Sequence, residues 1–375
     1  MTGIFSYIGG ILFSEFFSSL LHGGQIFGLT GYSYLMYSDI PNFFQRAIAH
    51  GWPYISIRIE YPVLIGLFVK SMALIGHTLF GYYAASVLAL MMLGGIATYL
   101  LYLMVPPQSH RKLWLYWIFA PSMVVFSIYN WDLLAIVCVV AAMYAVWKKH
   151  DLTAALFLTL GTWAKLYPVL YLLPLFLNQK TNRARAGIAG IFAAVSFALN
   201  APFAFANFSG WAYFFTFNSA RISTFDSIWT IFRFLFPGLQ NEATINSLSL
   251  LIFATWYLAM VWRFRKESLI KSWFLATLIF LMTNKVFSPQ YLLWLLPFFV
   301  VLPTLSYGKF LTFEFANLGI LVLTLTWFFV GQDLAYFYLS IPLILVKYGM
   351  MFVFYREMAR RKLPYRVLAY EPKAI

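Results

Sequence analysis

The stretch Asn284-Lys285-Val286-Phe287-Ser288-Pro289-Gln290-Tyr291-Leu292-Leu293-Trp294 sets an ammonium, an amide pair and a hydroxyl between two apolar runs long enough to lie in a bilayer. Charged and amide groups at membrane depth are expensive, which marks them as functional by default. Tyr37-Ser38-Asp39 and Lys165-Leu166-Tyr167-Pro168 add a carboxylate and a second ammonium in similar company. A carboxylate can take a proton, and cations can meet an anion. Together these residues point to an enzyme working on a lipid-linked anion at a membrane face.

With only 12 acidic residues in the chain, each can be weighed. Asp151, Glu267, Glu357 and Glu371 accompany basic loops as surface charges. Glu242, Glu314 and Asp333 lie near span ends, as snorkelling or capping groups, and Glu15 lies in the first span. Asp39, Glu60, Asp132 and Asp226 remain. Asp39 opens a short helical stretch, residues 40–50, with Pro41 at its start and apolar residues at helical spacing. Either Ser38 or Asp39 simply caps that helix, or Asp39 is a carboxylate held on a rigid helix end to take a proton. The residues alone leave both open. Glu60-Tyr61-Pro62 closes the same loop and would face the same cavity. Asn130-Trp131-Asp132 reads either as a polar turn with an interfacial Trp or as part of the site.

Lys165 could snorkel to the interface or contact phosphate. Arg221, Asp226, Trp229 and Arg233 share one loop, and arginine suits bidentate phosphate recognition. Lys285 with Gln290 completes a possible cationic ring. The five histidines are scattered singly, with no His-Glu-x-x-His and no Asp-x-Asp. No metal cofactor is expected, with Mg²⁺ held by Asp39 and Glu60 as the alternative. No glycine-rich phosphate loop is present, which argues against a nucleotide donor.

The elements that must position these groups are membrane spans. Of the 375 residues, 62% are hydrophobic, 21% aromatic and only 10% charged, against about 25% charged in a soluble domain. The chain reads as an all-α polytopic membrane protein, a single domain over 1–375. Expected spans are 4–26, 62–79, 82–105, 113–128, 131–148, 153–177, 187–206, 247–264, 270–284, 289–306, 312–330 and 335–354. The net charge of +14 sits in short loops and a basic tail. That is the positive-inside pattern rather than a nucleic-acid signal. The single cysteine, Cys138, can form no intrachain disulfide. The N-terminus is expected to lead into a retained first span.

The long loops 27–61 and 207–246 are aromatic and poor in Lys and Arg, so they are expected together on the non-cytoplasmic face. Counting back from a cytoplasmic tail, basic loops on both sides of 153–177 force an even number of crossings there. That region should be two half-helices meeting near Ala164-Lys165-Leu166-Tyr167-Pro168, where Pro168 breaks the helix. Between residues 62 and 112 the parity does not close: either Arg111-Lys112 faces outside or a further break is hidden there.

In order along the chain, Tyr37-Ser38-Asp39 with Gly51-Trp52-Pro53-Tyr54, Glu60-Tyr61-Pro62, Trp131-Asp132, Ala164-Lys165-Leu166-Tyr167-Pro168 and Asn284-Lys285-Val286-Phe287-Ser288-Pro289-Gln290-Tyr291 resemble the GT-C superfamily of glycosyltransferases. They are most similar to the polyprenyl-phosphate-mannose-dependent mannosyltransferases of glycosyltransferase family 87. The resemblance covers roughly residues 30–300, and the last motif is the most specific. It implies a GT-C-like bundle of about 10–13 transmembrane helices with a catalytic first outer loop. It implies Asp39 as catalytic base and inverting transfer. It implies a lipid-phosphate-linked sugar donor met by Lys165, Arg221 and Lys285, with Gln290 beside them. Tyr37, Glu60, Tyr61, Asp132, Tyr167, Ser288 and Tyr291 would line the substrate cavity. The implied partners are membrane lipids, a polyprenyl-phosphate-linked donor and a lipid or glycan acceptor. The implied setting is the plasma membrane of a prokaryote, with the site on the non-cytoplasmic face.

Two other classes compete. A transporter or flippase of lipid-linked sugars would use the same cations on phosphate without bond chemistry, and would tolerate Asp39→Asn. A scaffold protein would not need polar groups at membrane depth.

Overall fold

A computed structural model describes residues 2–23, 37–46, 48–303 and 305–363. Residues 27–36 of the first expected outer loop, and Arg366 and Glu371 of the tail, lie outside the described residues. Within them the regular elements are helices, with one isolated bridge between Pro53 and Ile57. Helices are what long apolar runs must form in lipid, where each backbone N–H and C=O needs a partner within its own segment. Six are long and apolar enough to cross a membrane. In the order of the chain they begin with α1 (Thr2–His22) and α4 (Leu79–Met104), then α9 (Asn182–Ala206) and α12 (Glu242–Phe264), and finish with α15 (Tyr307–Phe329) and α16 (Leu334–Arg360). Side-chain caps start several of them: Thr78 on α4, Thr181 on α9, Asn241 on α12 and Asp333 on α16.

Shorter helices fill the bundle between them. These are α5 (Pro121–Phe126), α6 (Asp132–Trp147), α7 (Asp151–Ala164), α8 (Val169–Leu177), α13 (Leu269–Thr283) and α14 (Leu296–Val301), the last preceded by the 3₁₀ stretch Pro289–Leu295. The expected half-helices are α7 and α8. Lys165 ends α7 in extended conformation (φ −145°, ψ 137°), and Pro168 starts α8 at φ −62°. Lys165 leaves the helical region and Pro168 has no N–H with which to continue α7, so the chain opens between them.

Contacts fix the two ends of the bundle. At one end Asp39 N–H donates to Tyr129 O (3.0 Å), and Tyr83 OH donates to Ser19 O (2.7 Å). At the other, Lys271 Nζ donates to Arg361 O (2.6 Å) and Ser268 N–H to Leu363 O (3.0 Å). Lys112 Nζ donates to Val300 O (3.2 Å) at this second end. Burial, with Arg361 nearby, lowers the Lys112 ammonium to about 8.

The parity between residues 62 and 112 now closes. Arg111-Lys112 stand with the basic tail. The expected span 62–79 is instead the short helix α3 (Val63–Gly76), and it does not run from end to end. At roughly 1.5 Å per residue its 14 residues reach about 21 Å. Lys70, halfway along, donates to Ile48 O (3.1 Å) and Ala49 O (2.9 Å), so α3 lies against the first loop at the Asp39 end. An ammonium in mid-helix needs such acceptors, and a lipid-facing span would not supply them. His77, left-handed at φ 55°, turns the chain into α4.

Candidate functional site

A seven-residue helix, α2 (Asp39–Gln45), carries the first carboxylate. Ser38 is its cap, its side chain accepting from Ile40 N–H (3.2 Å), so Asp39 is free of the capping role. Instead Asp39 Oδ1 accepts from Tyr37 OH (2.7 Å) and Oδ2 from Tyr61 OH (3.0 Å). Burial raises the Asp39 carboxyl above the usual carboxylate range. The two tyrosine hydroxyls, the charge of Lys165 and the Asn130 amide pull it back.

The half-helix apex brings Lys165 to the same place. Its ammonium lies 4.6 Å over the Tyr61 ring and 3.4 Å from Asp132 Oδ1. Asp132, fully buried at the start of α6, also accepts from Trp294 Nε1 (2.7 Å). Trp294 stacks between Tyr167 and Tyr291, each 4.1 Å away. Three distant segments, the turn before α6, the α7–α8 apex and the 3₁₀ stretch, are thus locked around one lysine. Asp132 Oδ2, Tyr167 OH and Trp131 Nε1 are buried without a hydrogen-bond partner. Such atoms are uncommon in folded proteins and fit a polar ligand.

The remaining expected residues form a neighbouring polar cluster. Lys285 Nζ donates to Ser219 O (3.2 Å) and to Arg221 O, with Glu242 Oε2 at 4.0 Å. Burial lowers its ammonium, Glu242 opposes that, and Arg221 adds to it. Thr224 N–H donates to Lys285 O (3.1 Å) and Phe287 N–H to Thr224 Oγ1 (2.8 Å), so the 284–288 stretch is woven to the second loop. Arg221 Cζ lies 5.9 Å from the Phe217 ring. Ser288 starts the 3₁₀ stretch, and Gln290 is buried within it. Lys165 and Lys285 therefore have separate acceptor sets. Glu60 is held at the rim by Arg46 Nη1 (2.7 and 2.9 Å) and makes no hydrogen bond to the tyrosines that hold Asp39. The two long loops touch, through Asn207 Nδ2 to Ile55 O (2.8 Å) and Asn218 Nδ2 to Glu60 O (3.2 Å).

One pair escaped the sequence reading. Lys347, fully buried in α16, lies 3.4 Å from Asp226 and 3.7 Å over the Phe287 ring. Burial raises the Asp226 carboxyl and Lys347 pulls it down. The available signal was a lone cation in the expected span 335–354. No group of three or more potential metal ligands occurs among the described residues.

The sequence model of glycosyltransferase family 87 matches residues 60–289. That range includes Glu60, Tyr61, Asp132, Lys165, Tyr167, Arg221, Lys285 and Ser288, and leaves out Tyr37 and Asp39 before it and Gln290 and Tyr291 after it. No curated protein matches the chain.

Proposed function

The chain belongs to glycosyltransferase family 87, and from that premise we propose that it is an inverting mannosyltransferase using a polyprenyl-phosphate-linked donor. Glycosyl transfer by a multi-pass membrane protein is the coarse function. The observation that supports the finer reading is Asp39, released from capping by Ser38 and held between two tyrosine hydroxyls beside the Lys165 ammonium.

In this reading Asp39 takes the proton of an acceptor hydroxyl. The acceptor oxygen forms its bond to the anomeric carbon from the face opposite the donor phosphate. The carbon–oxygen bond to phosphate breaks, the electron pair leaves with polyprenyl phosphate, and the configuration inverts. The leaving group is already a stable anion, so it needs cations rather than a second carboxylic acid. Lys165 meets that phosphate, with Arg221, Lys285 and Gln290 from the neighbouring cluster. The acceptor is a lipid or glycan hydroxyl. The positive-inside rule supports a cytoplasmic basic end with Asp39 on the other face, and the setting we propose is the plasma membrane of a prokaryote.

Purified protein in lipid nanodiscs, given radiolabelled polyprenyl-phosphate mannose and membrane lipid acceptors, tests this. Asp39→Asn should retain donor binding and lose transfer by about 10²–10⁴-fold. Near-normal transfer by that variant would remove Asp39 from the mechanism. Translocation of the labelled donor across sealed proteoliposomes, without transfer, would favour the flippase. The reaction is further proposed to need no divalent metal: Asp39 accepts from two tyrosine hydroxyls and Glu60 pairs with Arg46, so each carboxylate already has partners of its own. Transfer should survive EDTA. Full loss restored by Mg²⁺ would reinstate an Asp39/Glu60 metal site.

A further inference from the structure

At the end of the bundle opposite Asp39, the C-termini of α12 and α16 enclose a cavity of about 470 Å³. Its lining includes four cations, Arg263, Arg356, Arg360 and Lys362, and one acid, Glu267. That acid is taken: Glu267 pairs with Lys271 at 2.6 Å. Glu357, also on α16, pairs with Lys309. Among the described residues no carboxylate forms an ion pair with any of the four cavity cations. The positive-inside rule accounts for cations at this end, but not for their convergence from two helices on one concavity.

The α16 wall above the cations is apolar and exposed. On α16, Leu345 and Phe352 are 53% and 52% exposed, three turns and one turn before Arg356 on the same face. An apolar stripe running down to a cluster of uncompensated cations has the polarity profile of a phospholipid at a leaflet boundary. A soluble anion would use the cations and leave the stripe without a role. We propose that this cavity is a headgroup site for an anionic phospholipid of the leaflet at the basic end. The cations meet its phosphate, and the α16 stripe meets its acyl chains. The site is independent of the sugar-transfer centre.

Spin-labelled phosphatidylglycerol and phosphatidylcholine, compared by the immobilised fraction around the purified protein, test the proposal. Wild type should select phosphatidylglycerol by roughly tenfold, given the strength of attraction expected per basic residue. Arg263→Gln/Arg356→Gln/Arg360→Gln should bring the two lipids to within about twofold. Lys180→Gln/Arg183→Gln, basic residues on a different loop, should keep the selection. Unlabelled phosphatidylglycerol should displace the label from wild type, and millimolar inorganic phosphate should not. Equal association of the two lipids with wild type would overturn the proposal. So would loss of selection in the Lys180/Arg183 control, which would mean diffuse attraction, or displacement by inorganic phosphate, which would mean a soluble-anion site. The displacement experiment uses wild type alone, so it decides the matter even if the triple variant fails to fold.

Discussion

Tyr61 joins the two charges of the candidate site in one side chain: its hydroxyl donates to Asp39 and its ring lies beneath Lys165. This predicts a direction in pH. A general base works ionised, so transfer should rise with pH through the Asp39 pKa and level off above it. Burial has raised that pKa, and the tyrosine hydroxyls favour the ionised form and hold it down. Tyr61→Phe removes one of those donors, so the acid limb should move to higher pH, lowering turnover at neutral pH more than on the alkaline plateau. A pH–rate profile whose limb stays in place, or moves to lower pH, would count against Asp39 as the base. Much of this site was legible because charges are scarce in a membrane sequence: Asp39, Asp132 and Lys165 each stand out singly. What could not be read was the division of labour. Ser38 and Asp39 both sit where a cap belongs, and only backbone geometry assigns the cap to Ser38. The Asp226–Lys347 pair was hidden by a separation of 121 residues along the chain.

At the scale of elements, the half-helices α7 and α8 were foreseen because basic loops on both sides left no other parity, and Pro168 marked the break. The same parity argument failed at residues 62–79. There an apolar run long enough for a short span turned out to lie against the first loop. The distinguishing residue was Lys70, which is 4% exposed and whose ammonium is bonded to two loop carbonyls. A cation with acceptors nearby marks a helix packed on protein rather than lipid. Lys70→Met keeps most of the side-chain length and removes the donor. It leaves Ile48 O and Ala49 O without that partner, so it should destabilise the protein by roughly 1–3 kcal/mol. Lys70→Arg should recover part of the loss. Thermal unfolding in detergent measures both, and an unchanged midpoint for Lys70→Met would show that this anchor does not hold α3 to the loop.

Over the whole molecule, the fold separates charge by end. Lys149, Lys180 and Arg265 stand on turns at the basic end, while Ile55 and Gly238 stand at the Asp39 end; all five are exposed. The separation follows from the spans the chain makes, including the paired passes α7 and α8 between Lys149 and Lys180. If α7 and α8 were a single pass, Lys149 and Lys180 would lie on opposite faces and Lys165 would sit at mid-membrane, away from Asp39. Single cysteines report this directly. The native Cys138 is buried and can be replaced by alanine to clear the background. A cysteine at Gly238 meets nothing within 4 Å. In sealed vesicles, a membrane-impermeant maleimide should label Lys149→Cys, Lys180→Cys and Arg265→Cys from one side, and Ile55→Cys and Gly238→Cys from the other. Labelling of positions 149 and 180 from opposite sides would break the half-helix pair. It would also separate Lys165 from the carboxylate it is placed beside.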